Sequence, residues 1–342
     1  MAASAAPAAS VSAGAPPRDL GLPGAVAAKC GGPAIKLNSG HMMPLVGVGT
    51  FRADPGVVGE AVKEAIAVGY RHIDCAAVYG NEKEVGAALK ECIDSGVVSR
   101  EDLFITSKLW NTDHHRVEEA CRRTLEHLQL DYLDLYLVHF PLAFDGKPGC
   151  EAPGFEADEA GRAKMMPKSL QDTWRDMEAL TDAGLARSIG VSNYEFLTFN
   201  DCLAYARVPP ACNQIEAHPY FAVDWFVQYC RSKGVAVVAH TPLGGAAANA
   251  AWRGGASSPL ADDAINAIAK AHGVSAAQVC LRWALQRGTA IIPKSTKRHR
   301  LEENFALFEF ELSADEMAAV AAVDKDQRSN KSGRNWGIEF KA

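Results

Sequence analysis

A set of polar residues stands at the ends of short apolar runs in this 342-residue chain: Asp74, Tyr79, Lys108, His139, Ser192, Asn193, Gln214, Glu216, His240, Lys294 and Ser295. Three chemistries could use such an inventory. Glycoside hydrolysis needs two carboxylates flanking one bond, and Asp74 and Glu216 are the strand-end candidates. Metal-assisted hydrolysis needs clustered histidines and acids, yet the run Leu45–Gly49 offers no ligand and the strand-end histidines stand singly. The third chemistry needs a tyrosine, a lysine, an aspartate and a histidine converging on one carbonyl. A phenol with its ordinary pKa near ~10 is a poor acid at neutral pH. A neighbouring ammonium is expected to stabilise the phenolate and lower that pKa, while an aspartate keeps the lysine charged and aimed. A neutral histidine can then orient the carbonyl oxygen.

These residues need a scaffold that brings distant strand ends together. Eight strand-like runs cover residues 45–49, 70–75, 103–109, 133–139, 186–192, 212–217, 235–240 and 289–295. Helical patterns fall between them, as in 57–69, 118–128, 169–184 and 276–288, and Gly69, Gly184 and Gly288 sit where a glycine closes a helix. That rhythm predicts an α/β fold, a single (β/α)8 barrel of the triosephosphate isomerase type, with polar strand ends converging on its C-terminal face. A doubly wound open sheet is the competitor. It would carry G-x-G-x-x-G after the first strand, and Gly47-Val48-Gly49-Thr50-Phe51 lacks the third glycine. Residues 34–44 read as a β-hairpin turning at Asn38, Ser39 and Gly40, which would plug the barrel's N-terminal face. The long connections 143–168 and 242–260 should open onto the catalytic face, and the irregular tail from Asp324 should form a lid.

Composition narrows the class. Net charge is −6, which argues against a nucleic-acid backbone as partner. No stretch reaches the ~20 consecutive apolar residues of a membrane helix. Nine scattered cysteines without a C-x-x-C pair suit reduced thiols in a cytosol-like compartment. Residues 1–33 contain no aromatic residue and are dominated by Ala, Pro, Gly and Ser. They are expected to be a disordered extension ahead of a domain spanning 34–342, or else an organelle transit peptide.

The segments GYRHIDCAAVYGNEKEVG, ITSKLWN, LDLYLVHFP, RSIGVSNY, NQIEAHPY and IPKSTKRHRLEENF together resemble the aldo-keto reductase family, in the family's order and spacing. LVHFPLA, AHTPLGGAAANAAW and the ending RSNKSGRNWGIEFKA look most like its plant-type aldose-6-phosphate reductases. The resemblance implies the same barrel, NADPH/NADP+ as cofactor and a tetrad of Asp74, Tyr79, Lys108 and His139, with Tyr79 as proton donor. It implies that Ser192, Asn193 and Gln214 hold the nicotinamide carboxamide, that Asp74 and Thr50 lie beside the cofactor, and that His240 stacks on it. The loop with Thr241, Leu243 and Gly244 would cross the pyrophosphate. Lys294, Ser295 and Arg300 would clamp the 2′-phosphate, and Glu303 and Asn304 would meet the adenine.

This chain departs from the common family pattern at three positions. Phe51 and Phe140 stand where many members have Trp, and His240 where the stacking residue is usually Tyr. Phe51, His139 and Phe140 would line the substrate pocket. Arg328, Lys331 and Arg334 of the tail would meet a substrate phosphate, with Lys147 and Lys168 as less specific candidates. The expected activity is reduction of a small aldose, foremost an aldose 6-phosphate, to the alditol by a monomer or dimer. A general reactive-aldehyde reductase and a regulatory NADPH-binding barrel with little turnover are the alternatives.

Overall fold

A computed structural model describes residues 25–27, 31–148, 154–245, 257–330, 333, 336 and 337. Its centre is an eight-stranded parallel sheet made of β4 (Gly47–Gly49), β5 (His72–Asp74), β6 (Phe104–Leu109), β7 (Leu135–Val138), β8 (Ile189–Ser192), β9 (Cys212–Glu216), β10 (Ala236–His240) and β11 (Ala290–Ile291), paired in sequence order. A parallel bridge from Val46 to Ile291 closes the sheet, and the Ile291 amide donates to the Leu45 carbonyl at 2.8 Å. The expected barrel is therefore present. Its strands read as unbroken apolar runs because both faces are covered: every residue of β6 is buried, Lys108 included. The last run was expected to extend to residue 295 but pairs for only two residues. Pro293 lacks the N–H that a longer ladder requires.

Helices α1 (Val58–Val68), α2 (Glu82–Asp94), α3 (Val117–Leu128), α4 (Leu170–Asp182), α5 (Phe196–Tyr205) and α6 (Asp224–Ser232) return the chain between strands. Then α7 (Asp263–His272) and α8 (Ala276–Gln286) both precede β11, while α9 (Arg298–Phe305) and α10 (Ala314–Ala321) follow it. The glycines read as helix closers have φ of 125° at Gly69, 70° at Gly184 and 90° at Gly288, a region that costs other residues strain. Gly86 does a different job. A Cβ there would lie 2.3 Å from the His127 carbonyl oxygen, so only glycine lets α2 pack this close to α3. No helix among the described residues is long and apolar enough to cross a membrane.

The hairpin of β2 (Pro33–Lys36) and β3 (Met42–Pro44) caps the N-terminal end. Its turn is fastened from both sides: Asn38 Nδ2 donates to the Pro210 carbonyl (2.9 Å), and the Ser39 and Ser188 hydroxyls lie 2.7 Å apart. The extension expected to be disordered through residue 33 is corrected at Ala25–Ala27, which form β1 antiparallel to β2. Composition misses this strand because pairing to an exposed sheet edge needs only backbone N–H and C=O groups.

Candidate active site

The tetrad is built from the C-terminal ends of neighbouring strands. Asp74 ends β5, Lys108 lies one residue from the end of β6, and His139 follows β7. Tyr79 closes the short 3-10 turn Ala77–Tyr79, five residues beyond Asp74. Lys108 Nζ donates to Asp74 Oδ1 (2.5 Å), to the Cys75 carbonyl (2.7 Å) and to the Tyr79 hydroxyl (3.3 Å). Those three acceptors match the three protons of an ammonium. The other Asp74 oxygen accepts from Gln214 Nε2 at 2.7 Å. Thr50 donates to the Asp74 carbonyl (2.9 Å), so the residue expected beside the cofactor also fixes the aspartate's backbone.

Burial sets the protonation states. Desolvation pushes the Tyr79 phenol up to about 12, and Lys108 pulls it down only in part. The expectation that the lysine leaves the phenol below its ordinary pKa is thus corrected. Lys108 lowers the value as anticipated, but loss of water outweighs it, and Tyr79 keeps its proton across the physiological range. Burial also works against the Lys108 ammonium, but Asp74 and Tyr79 outweigh it and raise its pKa. His139 falls well below its ordinary value through burial, reinforced by Lys108, and is therefore neutral. Its Nδ1 is buried without a partner.

Aromatic rings wall this centre. The Phe51 ring lies 4.9 Å from Tyr79, and Phe140 stacks on His139 at 5.0 Å. Trp110 stands edge-on to His139 at 5.4 Å, and Trp336 from the tail stands edge-on to Phe140 at 4.8 Å. Sequence reasoning placed Phe51 and Phe140 in the pocket but gave no such place to Trp110 or Trp336. Trp110 follows Lys108 by two residues on the same strand exit, which was the available signal.

The expected carboxamide holders also converge. Ser192 Oγ donates to the Gln214 carbonyl (2.8 Å), and Asn193 Nδ2 donates to the His139 carbonyl (2.9 Å). His240 Nε2 lies 3.0 Å from Asn193 Oδ1, so the ring is tied to the same row, and burial lowers its pKa to about 4. Asn193 and Thr241 both take left-handed backbone, with φ of 58° and 53°. Strain of this kind at the exits of β8 and β10, either side of β9, is held in place by the surrounding bonds. Gly244 also has positive φ (67°), and a Cβ there would lie 2.6 Å from Pro259 Cδ, so the loop seats on Pro259 only with glycine. Leu243 is half-buried against the core.

On the far rim, Lys294 Nζ donates to the Arg52 carbonyl (3.1 Å), and desolvation lowers its pKa. Ser295 Oγ accepts the Lys297 amide (3.1 Å) just before α9, and Arg300 is exposed on that helix. Asn304 is buried. Glu303, expected at the adenine, accepts a short hydrogen bond from Ser275. A partly desolvated ammonium beside an uncapped helix start suits a phosphate dianion. The polar row of Ser192, Asn193, Gln214 and His240 suits an amide. The residues present therefore fit a 2′-phosphorylated nicotinamide nucleotide.

The tail cations meet other groups or fall outside the described residues. Lys331 and Arg334 lie outside the described residues. Arg328 pairs with Glu195 (3.1 Å) and lies over Phe221 (4.9 Å), on the loops after β8 and β9. The aromatic wall belongs instead to the exits of β4, β6 and β7 and to the tail. Lys168 is paired with Asp176 at 2.8 Å. The glycosidase reading fails on the same geometry: Asp74 is bound to Lys108, and Glu216 is held by His218 and tail amides, so these two carboxyls do not flank one bond.

Known proteins resemble this chain over most of its length. The model of the Aldo/keto reductase family matches residues 46–325. The chain is 47% identical over 312 residues to an NADP-dependent D-sorbitol-6-phosphate dehydrogenase of Malus domestica, covering 90% of this chain and 99% of that protein. It is 45% identical to aldo-keto reductase family 1 member A1 of Bos taurus, over 89% of this chain and 91% of that one. The aldose reductase structure from Schistosoma japonicum superposes with a TM-score of 0.81 at 40% identity, covering 90% of this chain and 97% of that one. Six motifs in order, a closed barrel and an Asp–Lys–Tyr–His centre at its C-terminal mouth place this chain in the aldo/keto reductase family.

Proposed function

We propose that this protein uses NADPH to reduce the aldehyde of a small aldose, foremost an aldose 6-phosphate, to its alditol. The observation that carries the reading is the chain Asp74–Lys108–Tyr79, which ends on a phenol beside neutral His139 inside an aromatic wall. NADPH supplies the hydride when bound. Ser192, Asn193 and Gln214 would hold its carboxamide, His240 would lie against the ring, and Lys294, Ser295 and Arg300 would hold the 2′-phosphate. The side chains do the remaining work. His139 and Tyr79 orient the carbonyl oxygen, and Tyr79 delivers its proton there as negative charge develops. Lys108 stabilises the phenolate left behind, and Asp74 keeps the ammonium charged.

The phosphate is supported by the 47% identity to the Malus domestica sorbitol-6-phosphate dehydrogenase, which this chain matches over nearly its whole length. The walls themselves favour a second reading. Trp110, Phe140 and Trp336 offer apolar faces, which suits general reactive aldehydes. The ratio of kcat/KM for glucose 6-phosphate to that for glucose decides between them. A ratio above about tenfold, one charge-assisted contact or more, is expected. A ratio near one would leave the general aldehyde reductase, and NADPH binding without turnover of any aldehyde would leave the regulatory barrel.

A further inference from the structure

Glu216 ends β9 within the site's rim, yet it takes no part in the proton chain. The residue is 4% exposed and its carboxylate densely bound. Oε1 accepts from the Ser329 amide (2.5 Å) and lies 3.0 Å from His218 Nε2, while Oε2 accepts from the Asn330 amide (2.9 Å). A buried carboxylate is costly unless it is bound in this way. The trio Glu216, His218 and Ser329 matches a nucleophilic triad in composition only. Both the carboxylate and the hydroxyl approach the same nitrogen, His218 Nε2, so the imidazole cannot relay a proton between them.

The carboxylate holds the tail, and the tail holds the connection after β10. Ser329 Oγ donates to the Gly244 carbonyl at 2.9 Å. At the other described end of that connection, the Ser257 carbonyl accepts from Gln327 Nε2 at 3.1 Å. The tail is fixed upstream as well, where the Lys325 and Gln327 amides donate to the Tyr220 carbonyl. Six residues beyond Asn330, Trp336 stands against Phe140 and Trp110 in the substrate wall.

We infer that Glu216 is a positioning residue that ties the Gly244 loop to the tail, so that cofactor retention and placement of the Trp336 wall are energetically coupled. The inference rests on the reading that the Thr241–Gly245 loop crosses NADPH. A ligand that steadies the loop then steadies the substrate wall, and by linkage the substrate slows cofactor release. Neither effect needs a contact between Glu216 and either ligand.

The test measures NADPH release by chasing the bound nucleotide with excess NADP+ in a stopped-flow fluorimeter, alongside KM for D-glyceraldehyde. Ser329→Ala removes the bond to Gly244 and should speed release by about three- to tenfold, the worth of one neutral hydrogen bond. Glu216→Ala should speed release at least as much and also raise KM. Glu216→Gln, which still offers an oxygen to the two tail amides, should recover part of both effects. Because the two side chains act through one latch, adding Ser329→Ala to Glu216→Ala should speed release no further. Release at the wild-type rate in Ser329→Ala, or effects of the two substitutions that simply multiply, would overturn the coupling. Failure of the wild type to bind NADPH would remove the functional reading and this inference together. Ser329→Ala and Glu216→Gln keep the test decisive should Glu216→Ala fold poorly.

Discussion

Two buried aspartates, one at each end of β6, show how differently the barrel uses the same chemistry. At the N-terminal end Asp134 accepts the Ile105 amide (2.9 Å), Arg100 (2.8 Å) and Arg187 (3.3 Å). The two guanidiniums sandwich the Tyr132 ring, at 3.9 and 3.8 Å. At the C-terminal end Asp74 accepts Lys108 and Gln214. Every donor to Asp134 ends on the fold. One donor to Asp74 passes on to the Tyr79 hydroxyl, whose ring lies beside Phe51 and His139. Burial and pairing alone do not link a carboxylate to a phenol; what decides is where its partner's remaining protons point. Backbone strain divides in the same way. Of the non-glycine residues with positive φ, Arg52, Asn193, Val223, Thr241 and Asp326 sit in the catalytic-face loops and the tail, while Gln129 closes α3.

The sharpest way to break the comparison is to cut the chain after the lysine. Tyr79→Phe keeps the ring and removes the proton donor, so kcat should fall by about 10²–10⁴-fold while NADPH binding is unchanged. A variant retaining more than about a tenth of wild-type kcat would show that the top aspartate, like the bottom one, ends in structure.

The converse variant lies at the other end of the strand. Asp134→Ala leaves two arginines and the Ile105 amide without their acceptor. It should cost on the order of 3 kcal/mol of stability, read from denaturant midpoints, because a broken buried pair leaves polar groups uncompensated. For the folded enzyme kcat should stay within about twofold of wild type. A large loss of kcat at unchanged stability would mean that the two ends are not separate.

The third test compares cations. Arg100 and Arg187 serve the fold, whereas Lys294 and Arg300 stand exposed near the mouth. Lys294→Met and Arg300→Met should each reduce the preference for NADPH over NADH by about tenfold, at the low end of a charge-assisted contact. Thermal stability should barely move. Equal losses for both cofactors would make these cations structural too.

How much of this was legible in the sequence follows from the same contrast. Asp74, Lys108 and His139 are readable because a barrel sends strand-end side chains to one face. Tyr79 is readable as the polar residue just past the Asp74 strand, although the 3-10 turn that carries it is not. Gln214 meets Asp74 across 140 residues, and neither the distance nor the partner is written locally. Glu216 was visible as a strand-end acid, but its binding of tail amides depends on where an irregular segment lands. Arg328 was read as a phosphate ligand, and no local signal points to the Glu195 with which it pairs. The Tyr79 pKa went the other way because desolvation depends on packing around the ring, which no motif spells out.

The smallest expected effect separates stability from catalysis by pH. His114 is fully buried beside Thr173, with Nδ1 3.2 Å from the hydroxyl, and burial lowers its pKa to about 3. In the unfolded chain a histidine titrates near ~6.5. The folded pKa is the depressed one, so the stability it confers is fully present above ~6.5 and is lost as pH falls from there toward 3. Between pH 7 and pH 6 this one group should cost about 0.7 kcal/mol, because the unfolded state binds a proton that the folded state refuses. Burial lowers His72, His139 and His240 in the same direction, so the whole protein should lose stability on acidification. His114→Gln should remove its share of that slope, seen as a smaller drop in denaturant midpoint between the two pH values. Catalysis should not follow. Tyr79, at about 12, stays protonated and His139 stays neutral throughout this window, so kcat of the folded enzyme should be flat from pH 6 to pH 8. A kcat that fell together with stability would place a group titrating near neutrality inside the proton path, and neither Tyr79 nor His139 could be that group.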